Sequence, residues 1–242
     1  ESGNDGDSAS GPIERIECHS HVIVSIDQFT DGVTSARHHA EFADLSVNLR
    51  TGDFNAIGRG FLTSVSPDRN GELPGSSPAP ARANTPAQTH ETAFVFMKAD
   101  FIGTVDGNLH RQEATLSHHV EAVVSPARRV DEKINFDRIA TAHLPERAGI
   151  LSAEQLTISA VPVADSKSDS FAIVAKENAR LESQTISGTA DVITYAHSKE
   201  QFILRAEGRG AVTVNHRTSL DRKFNKLIGK RFEYYRRTNQ LN

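Results

Sequence analysis

Apolar and polar positions alternate along most of this chain, and the alternation is clearest between residues 190 and 216. A period of two residues is the signature of a β-strand, because successive side chains of a strand point to opposite faces. A Gly-Arg-Gly sequence at residues 208–210 interrupts the pattern before it resumes. This stretch therefore predicts two strands that lead into a third. Its apolar positions on one face are Ile193, Tyr195, Phe202, Leu204, Val212 and Val214.

An earlier segment repeats this arrangement. Both copies begin with Ala-Asp, at Ala43 and at Ala190, and both end in Gly-Arg-Gly, at residues 58–60 and 208–210. In the earlier copy Thr51-Gly52-Asp53 predicts a tight hairpin turn. The shared order of strand, turn, strand and glycine corner predicts an internal repeat, with residues 232–242 as the start of another unit and a chain cut in mid-repeat. The alternating apolar positions of the earlier copy are Leu45, Val47, Leu49 and Phe54.

Composition along the chain predicts four regions. Residues 1–11 offer nothing to bury and are expected to form a disordered tail or linker. Residues 12–65 form a first β unit. Residues 66–90 hold five of the nine prolines, which predicts a surface loop or a linker between lobes. Residues 91–242 are expected to continue the same sheet.

Local patterns refine these regions. In the first unit we expect Ile13, Val22, Val24 and Ile26 to be buried, with a turn at residues 28–32. Residues 91–127 predict at least three strands, with a turn at residues 106–108 and the last strand ending at residues 125–126.

Residues 171–185 allow two interpretations. Their Ala, Lys, Glu and Arg content favours a helix. Their neighbours on both sides alternate as strands, so we predict two short strands here and little or no helix in the whole chain.

Composition limits the function without identifying it. Hydrophobic residues make up 37% of the chain and there is no Trp, which suits thin sheets better than a thick globule. The net charge of −4 is spread over both signs, which argues against a nucleic-acid-binding protein. Cys18 is the only cysteine, so no intrachain disulfide forms, as in a cytosolic protein or a disulfide-free envelope protein. No apolar run is long enough to span a membrane in this segment.

The sequence nominates no catalytic residue, cofactor or metal site. The Gly-Arg-Gly sequences lack nucleotide-loop spacing, so we predict strand corners there. His19 and His21 would share a strand face as a feasible metal-ligand pair, but Cys18 would point the other way and no carboxylate lies at suitable spacing. The doublets at residues 38–39 and 118–119 each offer at most one ligand to a site.

The chain ends in a basic stretch, residues 217–237. Tyr234 or Tyr235 could stack on bases. The alternative is a solvated strand face, or one that meets anionic lipid headgroups. Because the rest of the chain offers no basic groove, we predict no nucleic-acid partner.

The pattern of residues 179–214, with further units at residues 228–242 and 103–126, resembles the OstA/LptA-like family of lipopolysaccharide-transport and organic-solvent-tolerance proteins, in particular the long, divergent planctomycete-type members. The resemblance covers about two thirds of the chain. The proline-rich residues 66–90 depart from it.

The resemblance implies an antiparallel β-jellyroll or β-taco, a folded-over sheet open at both ends. It implies a non-enzymatic periplasmic or cell-envelope protein, secreted across the inner membrane. Such a protein shelters the acyl chains of a lipopolysaccharide-like lipid inside and pairs edge to edge with itself or with similar proteins. The residues then expected to face lipid are Leu45, Val47, Leu49, Phe54, Ile193, Tyr195, Phe202, Leu204, Val212 and Val214.

Three alternatives stay open. The same apolar faces could form a plain core without ligand. The protein could be structural and assemble through its sheet edges into an envelope or extracellular filament. It could also be a carbohydrate-binding β-sandwich, against which the absence of Trp counts.

Overall fold

The structure is a computed structural model that describes residues 13–67, 94–132, 144–145, 148–161, 170–220 and 222–242. The predicted tail and residues 68–90 of the predicted proline-rich loop lie outside the described residues. Within them, 17 antiparallel strands form one sheet, and the chain is all-β. The strands are β1 Arg15–Cys18, β2 Val22–Thr30, β3 Val33–Phe42, β4 Asp44–Asn48, β5 Asp53–Ile57, β6 Gly60–Pro67, β7 Phe94–Phe101, β8 Thr104–Asn108, β9 Glu113–Ala127, β10 Gly149–Val161, β11 Ser170–Ser183, β12 Ile186–Ala196, β13 Gln201–Arg205, β14 Val212–His216, β15 Asn225–Gly229, β16 Arg231–Tyr235 and β17 Gln240–Leu241.

The pairing order shows that this sheet is folded in two. We call the line along which it folds the crease, and the two halves of the sheet on either side of that line the legs. The first leg consists of β1, β4, β5, β8, β13, β16 and β17, joined through residues 113–117, 155–161, 170–176 and 192–196 of β9–β12. The second leg consists of β2, β3, β6, β7, β14 and β15, joined through the other halves of β9–β12. Where the structure describes the chain passing from one leg to the other, it therefore runs from the tip of one leg, over the crease, to the tip of the other leg.

Unusual backbone conformations mark the crease. Residues with positive φ occur where the long strands bend, including His118 and His119 in β9 and Glu177 and Asn178 in β11. The strand registers shift at the same places, as expected for β-bulges that bend a strand. The fold-over is therefore built from bulges within strands and from short corners between strands.

The two legs enclose a single hydrophobic core. Side chains from both legs belong to one buried cluster. Gly188 of the second leg leaves room for Leu204 of the first leg, because a Cβ at Gly188 would lie 2.8 Å from the Leu204 side chain. The legs therefore pack directly face to face.

The predicted repeat is confirmed by where its copies lie. Residues 43–60 and 190–210 each start at the crease, form a hairpin in the first leg and return to the crease. At their ends Gly58 packs against Ala43, and Gly210 packs against Asp191. The two Gly-Arg-Gly sequences are corners between strands, as predicted, and residues 231–241 form a further hairpin of the same leg.

The predicted break within residues 171–185 is wrong. These residues form most of β11, one strand of 14 residues that bends at the crease without ending. Pairing with β10 on one side and β12 on the other satisfies its backbone, which outweighs the helix propensity of its composition.

Other local predictions also change. The predicted turn at residues 106–108 belongs to β8, because Gly107 packs against the ring of Phe54 and continues the ladder. β2 continues to Thr30, which leaves only residues 31–32 as a turn, and β9 continues to Ala127. Ser66 and Pro67 end β6, so they do not belong to a loop.

Burial at the first two strands differs from expectation. Ile13 and Ile26 are 72% and 53% exposed, whereas Val22 and Val24 are half-buried. β1 and β2 form the edge of the sheet, with a described neighbour strand on one side only. An alternating pattern cannot distinguish such an edge from the centre.

Candidate functional site

Inward-facing apolar side chains form continuous rows across the sheet. One row of the first leg joins the N-terminal edge to the C-terminal edge through ten strands. Strand register places in it Cys18, Leu45, Ala56, Val105, Leu116, Leu156, Ala175, Ile193, Leu204 and Phe232. The row that faces it in the second leg consists of Val24, Ala40, Leu62, Ala99, Ala122, Leu151, Leu181, Gly188, Val214 and Leu227.

The middle of these rows is tightly packed. Leu116, Leu156 and Ile193 are 0% exposed, so no water-sized space adjoins them. Protein interiors at this density have no room for an additional chain of methylenes unless side chains move. The centre of the fold is therefore a core and cannot serve as a channel.

The N-terminal part of the interior is more exposed than the centre. Leu45 and Phe54 of the first leg and Val24, Ala40 and Leu62 of the second leg are only half-buried, although all pack against the central core. We call the gap between the tips of the two legs, opposite the crease, the mouth. Where the structure describes the chain, no hydrogen bond joins the two legs along the mouth in this part. We call the space between these five side chains the N-terminal cleft.

Polar contacts close the mouth of the C-terminal part. The hydroxyl of Tyr234 in the first leg lies 2.9 Å from the hydroxyl of Thr185 at the tip of the second leg. The Asn239 side chain donates to the carbonyls of Arg217 and Thr218, and His216 lies 3.1 Å from its Oδ1. Among the described residues, hydrogen bonds thus bridge the mouth at the C-terminal end of the folded sheet and none bridges it at the N-terminal end.

Aromatic rings and a buried ion pair reinforce this closed part. The rings of Tyr195 and Phe202 stack at 4.5 Å, and the Tyr195 hydroxyl lies 3.1 Å from Nδ1 of His197. Glu200 and Arg236 pair at 3.3 Å with side chains 4% and 8% exposed. Such a buried pair fixes geometry more than it adds stability, because both charges lose their hydration.

Burial shifts two pKa values in this interior. It raises the pKa of Tyr234, although the hydrogen bond to Thr185 acts in the opposite direction. It lowers the pKa of His38, which shares a row with Ile26 and Ser64 of the second leg, against the weaker opposing effect of Asp27. The N-terminal cleft therefore has a neutral imidazole at its side near neutral pH.

The predicted lipid-facing residues divide between the two parts of the interior. All except Leu49 lie on inward faces, and Leu49 lies in the turn after β4, 42% exposed. Leu45, Val47 and Phe54 adjoin the N-terminal cleft. The six from β12, β13 and β14 belong to the packed core, which sequence periodicity could not foresee, and they are Ile193, Tyr195, Phe202, Leu204, Val212 and Val214.

Several cleft residues were missing from the prediction. Ala40 and Leu62 of the cleft, and Ala114 and Ile158 in the row that leads to Phe54, are half-buried and pack against the same core. Their strands alternate like the others, so the signal was present. Their assignment to the cleft requires strand register, which brings together residues more than 40 positions apart.

The histidine predictions also change. His19 and His21 do not share a strand face, because both lie in the corner between β1 and β2, where His21 has φ 71°. His19 instead lies 3.1 Å from Oδ1 of Asp44. Among the described residues, no group of three His, Cys, Asp or Glu side chains is arranged to hold a metal ion.

A polar groove of about 550 Å³ lies on the outer face of the first leg. Its side chains are mutually paired, since Asn55 donates to Asp106 at 2.7 Å and Asn108 donates to Asp53 at 2.6 Å. Pairing with Asn108 also lowers the pKa of Asp53. Most of the groove's polar side chains are therefore already paired with one another, whereas the exposed Arg111 and Glu113 at its rim are not part of these pairs.

Comparisons with known proteins add no assignment. No protein-family model matches the chain, and no curated protein or solved structure matches it. Within the described residues, no helix has the length and apolar character needed to cross a membrane.

Proposed function

We propose that this chain is a non-enzymatic cell-envelope protein that binds an amphipathic, lipopolysaccharide-like lipid, with the acyl chain in the N-terminal cleft. The observation that supports it is a set of half-buried apolar side chains on two facing legs, next to a mouth that no hydrogen bond between described residues bridges. The resemblance of the sequence to the OstA/LptA-like family suggests the same function and a periplasmic or envelope location.

The energetics of acyl binding favour the cleft over the core. Burying a methylene group contributes about 0.8 kcal/mol, so a chain of about ten methylenes gains roughly 8 kcal/mol before the cost of immobilising it. In the core this gain would be offset by displacing packed side chains such as Leu156, each worth about 2–5 kcal/mol. In the cleft the side chains are already partly exposed and need little displacement.

A bulky substitution in the cleft tests this proposal. Ala114 lies beside Gly107 on the inner face of the first leg, and the ring of the cleft residue Phe54 lies over Gly107. We expect Ala114→Phe to fill the cleft and weaken binding of dansyl-undecanoic acid, measured by fluorescence titration, at least tenfold.

The matched control is Ala172→Phe, which adds the same ring on the outer face of the same leg. It should bind the probe like the unmodified protein. Absence of probe binding by the unmodified protein, together with no lipid in its native mass spectrum, would overturn the proposal.

A second candidate function is end-to-end assembly, favoured by the two sheet edges. β1 and β2 form one edge, while β15 and β17 form the other, and each has one described neighbour strand. Ile16 and Ile23 at the first edge and Ile228 at the second are exposed. Edge strands with exposed apolar side chains tend to pair with other strands.

Sedimentation velocity over a range of concentrations tests this candidate. We expect assembly to increase with concentration and Ile23→Lys to suppress it, because a charge on an edge strand opposes strand addition. A protein that stays monomeric at all concentrations would exclude it.

A further inference from the structure

The charge of the chain is distributed unevenly, and its basic part lies at one edge of the fold. Residues 208–232 contain seven of the 27 Lys and Arg residues but one of the 31 acidic residues, Asp221. Within it, residues 212–229 form β14, β15 and the loop between them at the C-terminal edge of the second leg and contain four of these cations, whereas Arg231 begins β16 of the first leg. A local positive charge of this size on an acidic protein attracts an anionic surface.

The Arg217 side chain stabilises the loop between β14 and β15, and its guanidinium is already engaged in contacts within the protein. Its guanidinium donates to the carbonyls of Gln184 and Leu220, each at 2.9 Å. It also lies over the ring of Phe224, 4.7 Å from the ring centre. A single cation thus contacts both the main chain at Leu220 and the ring of Phe224.

Apolar and cationic side chains are exposed together around this anchor. Leu220, Phe224 and Ile228 are 57%, 46% and 66% exposed. The exposed cations between them form no ion pair with another described residue. We define the basic apolar edge as Leu220, Arg222, Lys223, Phe224, Lys226 and Ile228.

We propose that the basic apolar edge binds the surface of a membrane that contains anionic lipids. Leu220, Phe224 and Ile228 enter the boundary between headgroups and acyl chains, while the three cations contact lipid phosphates. This combination of exposed apolar side chains and Lys/Arg is what interfacial binding requires. The inference is independent of the lipid cleft, which lies at the other end of the folded sheet.

A second copy of the chain is the competing occupant, and the loop argues against it. Strand addition at this edge would use the backbone of β15, residues 225–229. Leu220, Arg222 and Phe224 precede that strand and would stay uncovered. A membrane surface contacts the loop and the strand together.

Vesicle co-sedimentation tests the proposal with the full chain. We expect binding to vesicles of phosphatidylcholine that also contain anionic phosphatidylglycerol, and weak binding to vesicles of phosphatidylcholine alone. Each cation near the surface contributes about 1 kcal/mol, so the triple variant Arg222→Gln, Lys223→Gln, Lys226→Gln should weaken binding on the order of 100-fold. High salt should weaken it in the same direction.

Matched variants elsewhere provide the controls. Arg50→Gln, Arg111→Gln and Arg128→Gln remove three exposed cations away from this edge. Ile228→Ser removes an exposed apolar side chain from the basic apolar edge. Its control is Ile102→Ser at the crease, where Ile102 is 56% exposed. Only the variants of the basic apolar edge should lose vesicle binding, with circular dichroism confirming that all variants are folded.

Two results would overturn the proposal. One is equal binding to neutral and anionic vesicles, or none to either. The other is a triple variant that keeps vesicle binding but loses self-association in sedimentation velocity, which would assign the edge to a second copy.

Discussion

The centre of the folded sheet should tolerate no loss of volume, and Leu156 is the residue that tests this most directly. Leu156 is 0% exposed and lies in register between Leu116 and Ala175, which are also 0% exposed. Leu156→Ala removes three carbon atoms from a site whose neighbours are fixed by strand ladders on both sides. Because Ala175 is too small to fill the space, we expect a cost of about 3–4 kcal/mol, in the upper part of the usual range for Leu→Ala.

The same substitution in the cleft should cost much less. Leu45 belongs to the same row but is half-buried, next to the edge strand. Leu45→Ala leaves a space that water can enter, so only part of the transfer energy is lost, about 1 kcal/mol. Leu49→Ala, in the exposed turn of the same leg, should be close to neutral and serves as control.

Equilibrium unfolding in urea, followed by far-ultraviolet circular dichroism, measures all three variants. Their m values should equal that of the unmodified protein, so that shifts in midpoint report stability alone. A cost below 1 kcal/mol for Leu156→Ala, or equal costs for Leu156→Ala and Leu45→Ala, would refute the contrast between a packed centre and an open cleft.

Three further predictions concern the crease, the closed mouth and the cleft. Gly58→Ala should destabilise the fold by about 2–3 kcal/mol, because Gly58 has φ 102° and the new Cβ would lie 2.6 Å from the Cβ of Ala43. The control is Gly208→Ala in the same urea assay. Gly208 has φ 60° and no atom within 4 Å of the new Cβ, so this substitution should cost only about 1 kcal/mol. Tyr234→Phe removes two hydrogen bonds at the mouth and should cost about 1–2 kcal/mol, with faster amide hydrogen exchange at residues 212–216 but not at residues 94–101. His38 should titrate below 6.5 in an NMR titration, since burial lowers its pKa. Folding favours the neutral form of His38, so the stabilisation that this form provides is fully present above pH 6.5 and is lost as the pH falls through the folded pKa. If the dependence of unfolding free energy on pH below 6.5 were the same in His38→Gln as in the unmodified protein, the argument would be contradicted.

Local sequence patterns were sufficient for most strands and for the repeat. The turn at Gly52 and the corners at residues 58–60 and 208–210 follow from turn chemistry, because glycine accepts backbone conformations that other residues avoid. The alternation of residues 192–205 places Ile193 and Leu204 on the buried face, as predicted. Both signals act within a few residues, so a single sequence contains them.

The candidate site was only partly predictable. Ile26, between polar Ser25 and Asp27, alternates more clearly than Ile193, which follows Val192, yet Ile26 is 53% exposed and Ile193 0%. What separates them is the number of strands on either side, because β2 is an edge strand and β12 is central. The local sequence does not show how many strands flank a given strand in the sheet.

Local patterns are enough to predict that the chain is all-β, where most of its strands run and which side chains share a face, because these features depend on the two-residue period and on turn residues. The three-dimensional fold was needed to show that residues 106–108 continue a strand, that the fold-over expected from the family resemblance lies at bulges within the long strands, and that the centre of the interior is packed while its N-terminal part is more exposed. These features depend on strand register between distant segments and on bulges inside long strands. They emerge from pairing and packing, which a one-dimensional pattern does not specify.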